Sequence, residues 1–394
     1  MIANARRLDG KQQSTIRAMT ERCVAVGGIN LGQGLSRTPP PASLLDTGAA
    51  HFKTADHSYS LAQGDPALRK AIARKLTAYN GIDIDPDDGI VATIGASGAY
   101  NAVLLAYLNP GDGILLPEPF YGYHRAAAEL YGVMPEPIGL TAPEFRLTKQ
   151  ALEASASERT RAIVLCTPNN PSGRRLTADE ITAVAQFAEE RDLLVITDEI
   201  YEYIYYTPGR HLSPAAFAPL THRTITISGL SKTYSIPGWR IGYAAGPGHL
   251  IQPVRTAADI LSVCAPTPLQ QLAVDALELP EAFYTGMRDQ YRTQRDRVAS
   301  AFRSAGLEPN HPEGAYYLLI DCSSLRVQDG FEAAEAILTT AGVATIPGEA
   351  FHHNKPPYTY VRACFAVSQE DISRTEKQLA TADFSTLMGT GATI

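Results

Sequence analysis

The stretch RAIVLCTPNNPSGRRLTADEITAVAQFAEERDLLVITDE, from Arg161 to Glu199, decides the fold class. It opens on an apolar run, passes through a turn rich in Asn, Pro and Gly, continues as an amphipathic segment and closes on a second apolar run. In the middle segment Ile181, Val184 and Ala188 recur at helical spacing, and Thr177 with Glu180 has the form of a capping box, hydroxyl and carboxylate each satisfying a backbone amide of the first turn. The flanking runs are short and nearly continuous in Val, Ile and Leu, as strands covered on both faces are. Strand, helix, strand is the unit of a parallel sheet.

The alternation extends outward in both directions, through GIVATIG near residue 89, GILLPEP near 113, TITISGL near 224 and IGYAAGP near 241. It predicts an α/β domain with a mainly parallel sheet covered by helices, its ligand lying at the carboxyl ends of the strands. Earlier, PALRKAIARKLTAYNG places Leu68, Ile72 and Leu76 on one helical face before the stop signal Asn80-Gly81. After about Pro280 a long polar helix, EAFYTGMRDQYRTQRDRVASAFRSAG, precedes GAYYLLID and TYVRACFA, with another helical run between them. That change of character predicts a smaller α+β domain. The expected division is an N-terminal arm with part of the small domain over 1–44, a large domain over 45–280 and a small C-terminal domain over 281–394.

A chain of 394 residues, 45% hydrophobic and 19% charged, buries a large core. Its net charge of -7, without clustered Lys and Arg, argues against a general nucleic-acid surface. Cys23, Cys166, Cys264, Cys322 and Cys364 show no CxxC spacing, and no metal is expected. The start MIANARRLDG lacks the apolar core of a secretory signal, and no apolar stretch approaches the roughly 20 residues that span a bilayer. The expectation is a soluble protein of a reducing cytoplasm, with no membrane partner.

Polar residues gather where the predicted strands end: TPNNPSG after the third run, DEIYEY at the fourth, SGLSK at the fifth. Taken singly these are ordinary. A lone lysine at a strand end is usually a solvated charge, Asp198 serves equally as a helix cap or turn residue, and Asn170 before Pro171 is a turn signal. Side by side on a parallel sheet, they bring an amide, a carboxylate, a phenol and an amine into one cleft. A carboxylate keeps a neighbouring ring nitrogen protonated. A lysine of lowered pKa condenses with a carbonyl. An arginine with hydroxyl or backbone N–H donors holds a phosphate. Pyridoxal 5'-phosphate meets all three descriptions.

At this point the chain resembles a known family, the fold-type I, class I/II aminotransferases that use pyridoxal phosphate. The resemblance runs through NLGQG (Asn30 to Gly34), YSLAQGDPALR, TIGASGA, PEPFYGY, TPNNPSG, DEIY, SGLSKTYSIPGWRIG, PEGAYY, IPGEAF and VRACFA, in the family's order and over nearly the whole chain. It implies that Lys232 is the Schiff-base lysine and proton shuttle. Ser231 and Arg240 would hold the phosphate, with Ala96 and Ser97 in a phosphate-binding turn ahead of a helix. Asp198 would pair with the pyridinium nitrogen, Asn170 and Tyr201 with the ring 3'-oxygen, and Tyr121 would lie on the cofactor face, completing with Lys232 and Asp198 the catalytic set. Arg362 would clamp the substrate α-carboxylate, with Gly34 and Asn170 also on the substrate side. Tyr59 would reach the phosphate of a neighbouring subunit, which implies a homodimer with shared sites.

Two departures stand out. GLSRTPPP follows where many relatives have GxPDF, so the entrance loop differs, and Arg37 in it is a candidate for a substrate side-chain carboxylate or phosphate, a solvated loop charge being the plainer reading. Gly229 stands where some relatives carry a serine, which would remove one phosphate donor. The resemblance implies ping-pong transfer of an amino group from an L-amino acid to a 2-oxo acid. The altered loop keeps open a lyase or cyclase that catalyses β- or γ-elimination, replacement or cyclisation. A non-catalytic regulator is disfavoured by the retention of Lys232, Asp198 and Arg240. Tyr121 and Tyr123 fit apolar, aromatic or ring-containing donors without choosing among them.

Overall fold

The reversal of a single strand explains why a lysine and an arginine eight residues apart meet at one place. In the computed structural model, which describes residues 5–9 and 14–387, the first half of the chain runs α1 (Thr15–Ala25), β1 (Ile29–Asn30), α2 (Ala42–His51), α3 (Pro66–Lys75), β2 (Ile90–Ile94), α4 (Gly95–Tyr107), β3 (Gly113–Pro117), α5 (Gly122–Leu130), β4 (Met134–Ile138), α6 (Lys149–Ser155), β5 (Thr160–Cys166), α7 (Ala178–Glu190) and β6 (Leu194–Asp198). The main sheet is completed by β7 (Thr224–Gly229) and β8 (Ile241–Ala245), before α8 (Gly248–Ser262) and α9 (Thr267–Leu277). Its order is β2-β8-β7-β6-β5-β3-β4. Only β8 runs against its neighbours. The chain therefore leaves β7 and re-enters β8 at the same edge, the carboxyl end of the parallel strands, and carries residues 230–240 across it.

Alternate residues of the sheet face two separate apolar layers. Val164 and Ile196 pack with Val103 of α4 and Ile251 of α8 on one side. Ile163, Leu165 and Val195 pack with Ile181 and Phe187 of α7 on the other. Each such fully buried side chain contributes about 1.5–3 kcal/mol. The capping box of α7 forms as the sequence predicts. The strand β4 is not among the apolar runs marked in the sequence, and it carries Pro135 and Pro137. It lies at the sheet edge beside β3 alone, where alternate prolines turn both missing donors away from the only neighbour.

The second sheet follows α10 (Glu281–Ser304), and joins β9 (Glu308–Pro309) and β10 (Tyr317–Asp321) to β12 (Ile346–Pro347) and β13 (Tyr360–Cys364), with α11 (Gly330–Ala341) before it returns and α12 (Gln369–Thr381) after. Two-residue β11 (Val343–Ala344) pairs in parallel with β1, tying the NLGQG segment to this half. Arg362 lies opposite Leu319 of β10 and Ile346 of β12, inside the sheet, and is 1% exposed. Among the described residues no helix is long and apolar enough to cross a membrane.

A buried ionic network underlies the turn after β6. Glu202 accepts from Lys75 Nζ at 2.5 Å, Asn80 Nδ2 at 2.7 Å and Ser228 Oγ at 2.8 Å, and Glu199 meets His211 Nε2 and Ser213 Oγ, each at 2.6 Å. Burial disfavours the Glu202 carboxylate, but the charges of Lys75 and His211 and the bonds from Lys75 and Asn80 outweigh it and hold its pKa below the ordinary value. That contribution is present above the ordinary glutamate pKa and is lost as pH falls through the lowered one. Removing one partner strands a buried charge. Lys75→Met is expected to cost about 3–5 kcal/mol of stability at neutral pH, measured by urea unfolding. A change below about 1 kcal/mol, the size of a surface pair, would show that the network is not held as an ion pair.

Candidate active site

The carboxyl ends of β5, β6 and β7 and the start of α4 line one wall of a cleft of about 360 Å³, and Gly34, Tyr317 and Arg362 line the other. Lys232 follows β7 by three residues and is half-buried. Its Nζ donates to the Gly34 carbonyl at 2.9 Å, which also accepts from Tyr316 Oη at 3.2 Å. Burial lowers the Lys232 pKa to about 8, with Arg362 and Arg240 pushing the same way against Cys364 and Asp198. Gly34 is glycine for a steric reason: a Cβ there would lie 2.2 Å from Tyr317 Oη.

Asp198 closes β6 and is 8% exposed. One carboxylate oxygen accepts from the Ile200 amide at 3.2 Å, and the other meets His124 Nε2 at 3.0 Å. The sequence reading missed His124. It sits in the first turn of α5, three positions after Tyr121, so both lie on one helical face. That spacing, in a segment starting at a strand's carboxyl end, is the signal that marks it. The Tyr121 ring packs edge-on to His124 at 5.3 Å and lines the cleft.

Asn170 and Tyr201 also line the cleft, but each already has a partner on the small sheet. Tyr201 Oη lies 2.7 Å from Tyr317 Oη, and Asn170 Oδ1 accepts from Arg362 Nη1 at 2.9 Å. Tyr317, in the quoted PEGAYY, is a second site residue the sequence did not single out. Arg362 also donates to the Gly32 carbonyl at 2.6 Å, and its guanidinium lies 4.3 Å from the Tyr317 ring centre. No carboxylate pairs with it among the described residues, and its buried Nε has no hydrogen-bond partner.

The anion corner forms where β8 meets α4. Gly95 has φ +67° and gives room to Arg240, whose Nη2 would lie 2.5 Å from a Cβ placed there. Arg240 itself is left-handed at φ +57°, a conformation few non-glycine residues adopt, and it donates to the Pro237 carbonyl at 3.0 Å and to Ser97 Oγ at 3.2 Å. Ala96 and Ser97 lie inside the first turn of α4 rather than in a turn ahead of it, which corrects the expectation. That turn has no side-chain cap and no acid; its Gly95 amide donates to the Arg240 carbonyl at 2.9 Å, and the amides of Ala96 and Ser97 are left for an anion. Ser231 is buried beside it and lines the cleft. At Gly229 a Cβ would lie 2.9 Å from the Ile241 carbonyl oxygen, so a serine there does not fit this backbone unmoved.

Two predicted residues stand apart. Tyr59 is 79% exposed, and neither it nor Arg37 lines the cleft. What the cleft does collect is a carboxylate held by an imidazole, an amine of lowered pKa and an arginine–serine corner with open amides. This donor set fits pyridoxal 5'-phosphate.

That class of enzyme is what known proteins also indicate. Residues 26–378 match the model of the family described as aminotransferase class I and II. The chain is 34% identical to a probable N-succinyldiaminopimelate aminotransferase, DapC, of Mycobacterium tuberculosis, over 84% of each chain. It is 32% identical to the methionine aminotransferase of Escherichia coli, over 89% of this chain and 91% of that one. The solved N-succinyldiaminopimelate aminotransferase from Mycobacterium tuberculosis superposes with a TM-score of 0.91 at 32% identity, covering 96% of this chain and 99% of that chain. The chain belongs to the class I and II aminotransferases, which work with pyridoxal 5'-phosphate.

Proposed function

We propose that this aminotransferase moves the amino group of an L-amino acid to a 2-oxo acid in two half-reactions, with Lys232 Nζ as both the cofactor's Schiff-base attachment point and the proton carrier. The observation that carries the reading is the position of Lys232 in one cleft with the Asp198–His124 pair, the Arg240–Ser97 corner and an arginine, Arg362, that has no carboxylate. Bound there, pyridoxal phosphate supplies a ring that draws electrons from the substrate Cα. Asp198 would hold a proton on the ring nitrogen, and His124 would orient that carboxylate. Asn170 and Tyr201 would donate to the 3'-oxygen, and Tyr121 would cover one face. Arg240, Ser97, Ser231 and the first-turn amide of Ala96 would hold the phosphate. Arg362 would clamp the α-carboxylate in place of solvent, aligning the Cα hydrogen with Lys232 Nζ. With a pKa near 8, that nitrogen is partly free of its proton at neutral pH and serves as the base that takes the Cα proton and returns it on the cofactor side.

A homodimer sharing sites fits the exposed apolar surface around Tyr59. Ser60 is tied through its amide to Thr267 Oγ1 at 3.0 Å, which sets Tyr59 and the exposed Leu61 near the α8–α9 junction, where Ile260 and Val263 are also exposed. The two sheets suit two domains with a boundary at the start of α10. Five cysteines, all unpaired, suit a reducing cytoplasm. The aminotransferase names of the relatives favour transfer over elimination or cyclisation.

The test mixes holoenzyme with one amino donor at a time and no acceptor. One equivalent of 2-oxo acid per site, then a halt until an acceptor is added, supports the reading. Continuing release without an acceptor indicates the lyase, and no oxo acid from any donor sinks the proposal.

A further inference from the structure

The α-carboxylate clamp proposed above depends on how Arg362 is held. Its two terminal nitrogens donate to Asn170 and to the Gly32 carbonyl, and its guanidinium lies 4.3 Å from the Tyr317 ring centre and 4.8 Å from that of Phe351. Phe351 lies outside the strands, in the connection from β12 to β13, where it ends a single tight turn, Gly348–Phe351. Something beyond the small sheet has to fix that connection.

The support comes from the end of β3. Glu118, the residue after that strand, accepts from the His353 amide with one carboxylate oxygen, and the other lies 3.6 Å from His352 Nδ1. Two residues on, the Phe120 amide donates to the Phe351 carbonyl at 3.0 Å, and Arg125 of α5 donates to the His352 carbonyl at 3.2 Å. His352 Nε2 in turn lies 2.9 Å from Tyr360 Oη, and Tyr360 stands two positions before Arg362 on β13. Glu118, His352 and Tyr360 are all buried. A carboxylate beside Nδ1 favours the tautomer that carries its proton there, which leaves Nε2 to accept from the tyrosine hydroxyl. Burial, with Tyr358, Glu349 and Glu118 nearby, raises the Tyr360 pKa well above its ordinary value, so that hydroxyl keeps the proton it donates. No step of the proposed amino transfer uses the Glu118 carboxylate. We propose that Glu118 is a positioning residue for Arg362: through the His353 amide and His352 it seats Phe351 and Tyr360 around the arginine, and so fixes the direction in which the guanidinium meets the substrate α-carboxylate. The inference rests on the assignment of that carboxylate to Arg362, and it names what sets the alignment.

The experiment titrates the holoenzyme with pentanoate and with pentanamide, alike in shape and differing in charge, and follows the cofactor's absorbance in the wild type, Glu118→Gln, Arg362→Lys and the double variant. The wild type is expected to bind pentanoate about 10–100-fold more tightly than pentanamide. Glu118→Gln keeps the shape and an acceptor for the His353 amide but loses the charge beside His352. It is expected to weaken pentanoate by about 5–20-fold and to move pentanamide by less than about twofold, the pattern of a clamp turned out of line. In turnover it should lower kcat/KM for amino donors by a similar factor, mostly through KM. In the Arg362→Lys background the same replacement is expected to change pentanoate binding by less than about twofold, because the fork it aligns is gone. Should glutamine at 118 prevent folding, His352→Gln breaks the link from the small-sheet side and is expected to give the same pattern. A loss that falls on both ligands alike, or that adds in full to that of Arg362→Lys, is a general packing effect and overturns the proposal, as does a pentanoate affinity that glutamine leaves unchanged. A wild type that does not distinguish the two ligands overturns the assignment of Arg362 itself and the proposal with it, so the two failures are told apart by the wild type alone.

Discussion

Alanine at position 232 is expected to lower transamination by about a hundred- to ten-thousand-fold, the contribution of a positioned general base, and to abolish covalent retention of the cofactor. Both losses follow from one atom. Lys232 Nζ is anchored on the Gly34 carbonyl at 2.9 Å, and its pKa is brought down to about 8 chiefly by burial, with Arg362 and Arg240 adding repulsion. A lowered lysine pKa means that the neutral, nucleophilic amine is present nearer neutral pH than an ordinary lysine allows. Formation of the covalent link by the apoprotein should therefore rise with pH through about 8, as the proton leaves. Borohydride trapping followed by peptide mass mapping checks the assignment: the label belongs on the peptide holding Lys232 and disappears in Lys232→Ala. A label on any other lysine, or a variant with wild-type turnover, contradicts it.

Much of this arrangement is legible in the chain because it rests on local signals. The apolar runs that flank the α7 capping box become β5 and β6, and the Lys232–Arg240 spacing becomes one corner of the cleft. What the spacing does not reveal is the reason, that β8 runs against β7 and returns the chain to the same edge. Where local chemistry and long-range packing disagree, the sequence misleads. Pro135 and Pro137 hide β4, which is tolerated because a sheet edge asks for donors on one side only. His124 and Tyr317 went unnoticed for a related reason. Each reaches the cleft through a contact with an element distant in the chain, Asp198 of β6 or Tyr201 beyond it, and nothing in the flanking residues announces that contact. Tyr59 shows the converse, a residue marked by family likeness that the single chain leaves on its surface.

The Asp198–His124 pair allows a role to be separated from mere packing. Asp198→Asn keeps the shape and removes the charge, and it is expected to lower turnover by about 100–1,000-fold, the scale of losing one preorganised electrostatic partner. His124→Asn should cost less, about 10–100-fold, since it removes a charge-assisted bond to the carboxylate while the Ile200 amide still holds the other oxygen at 3.2 Å. The two effects are not expected to add. If His124 works through Asp198, its replacement in an Asp198→Asn background should change turnover by less than about threefold, because the group it orients has lost its charge. Spectrophotometric pH titration of the bound cofactor supplies a readout that packing alone would not move: both single variants should lower the pH at which the ring nitrogen gives up its proton, Asp198→Asn the further. Fully additive losses, or a His124→Asn variant whose titration matches the wild type, would mean that the imidazole acts on its own account and not as the support of the carboxylate.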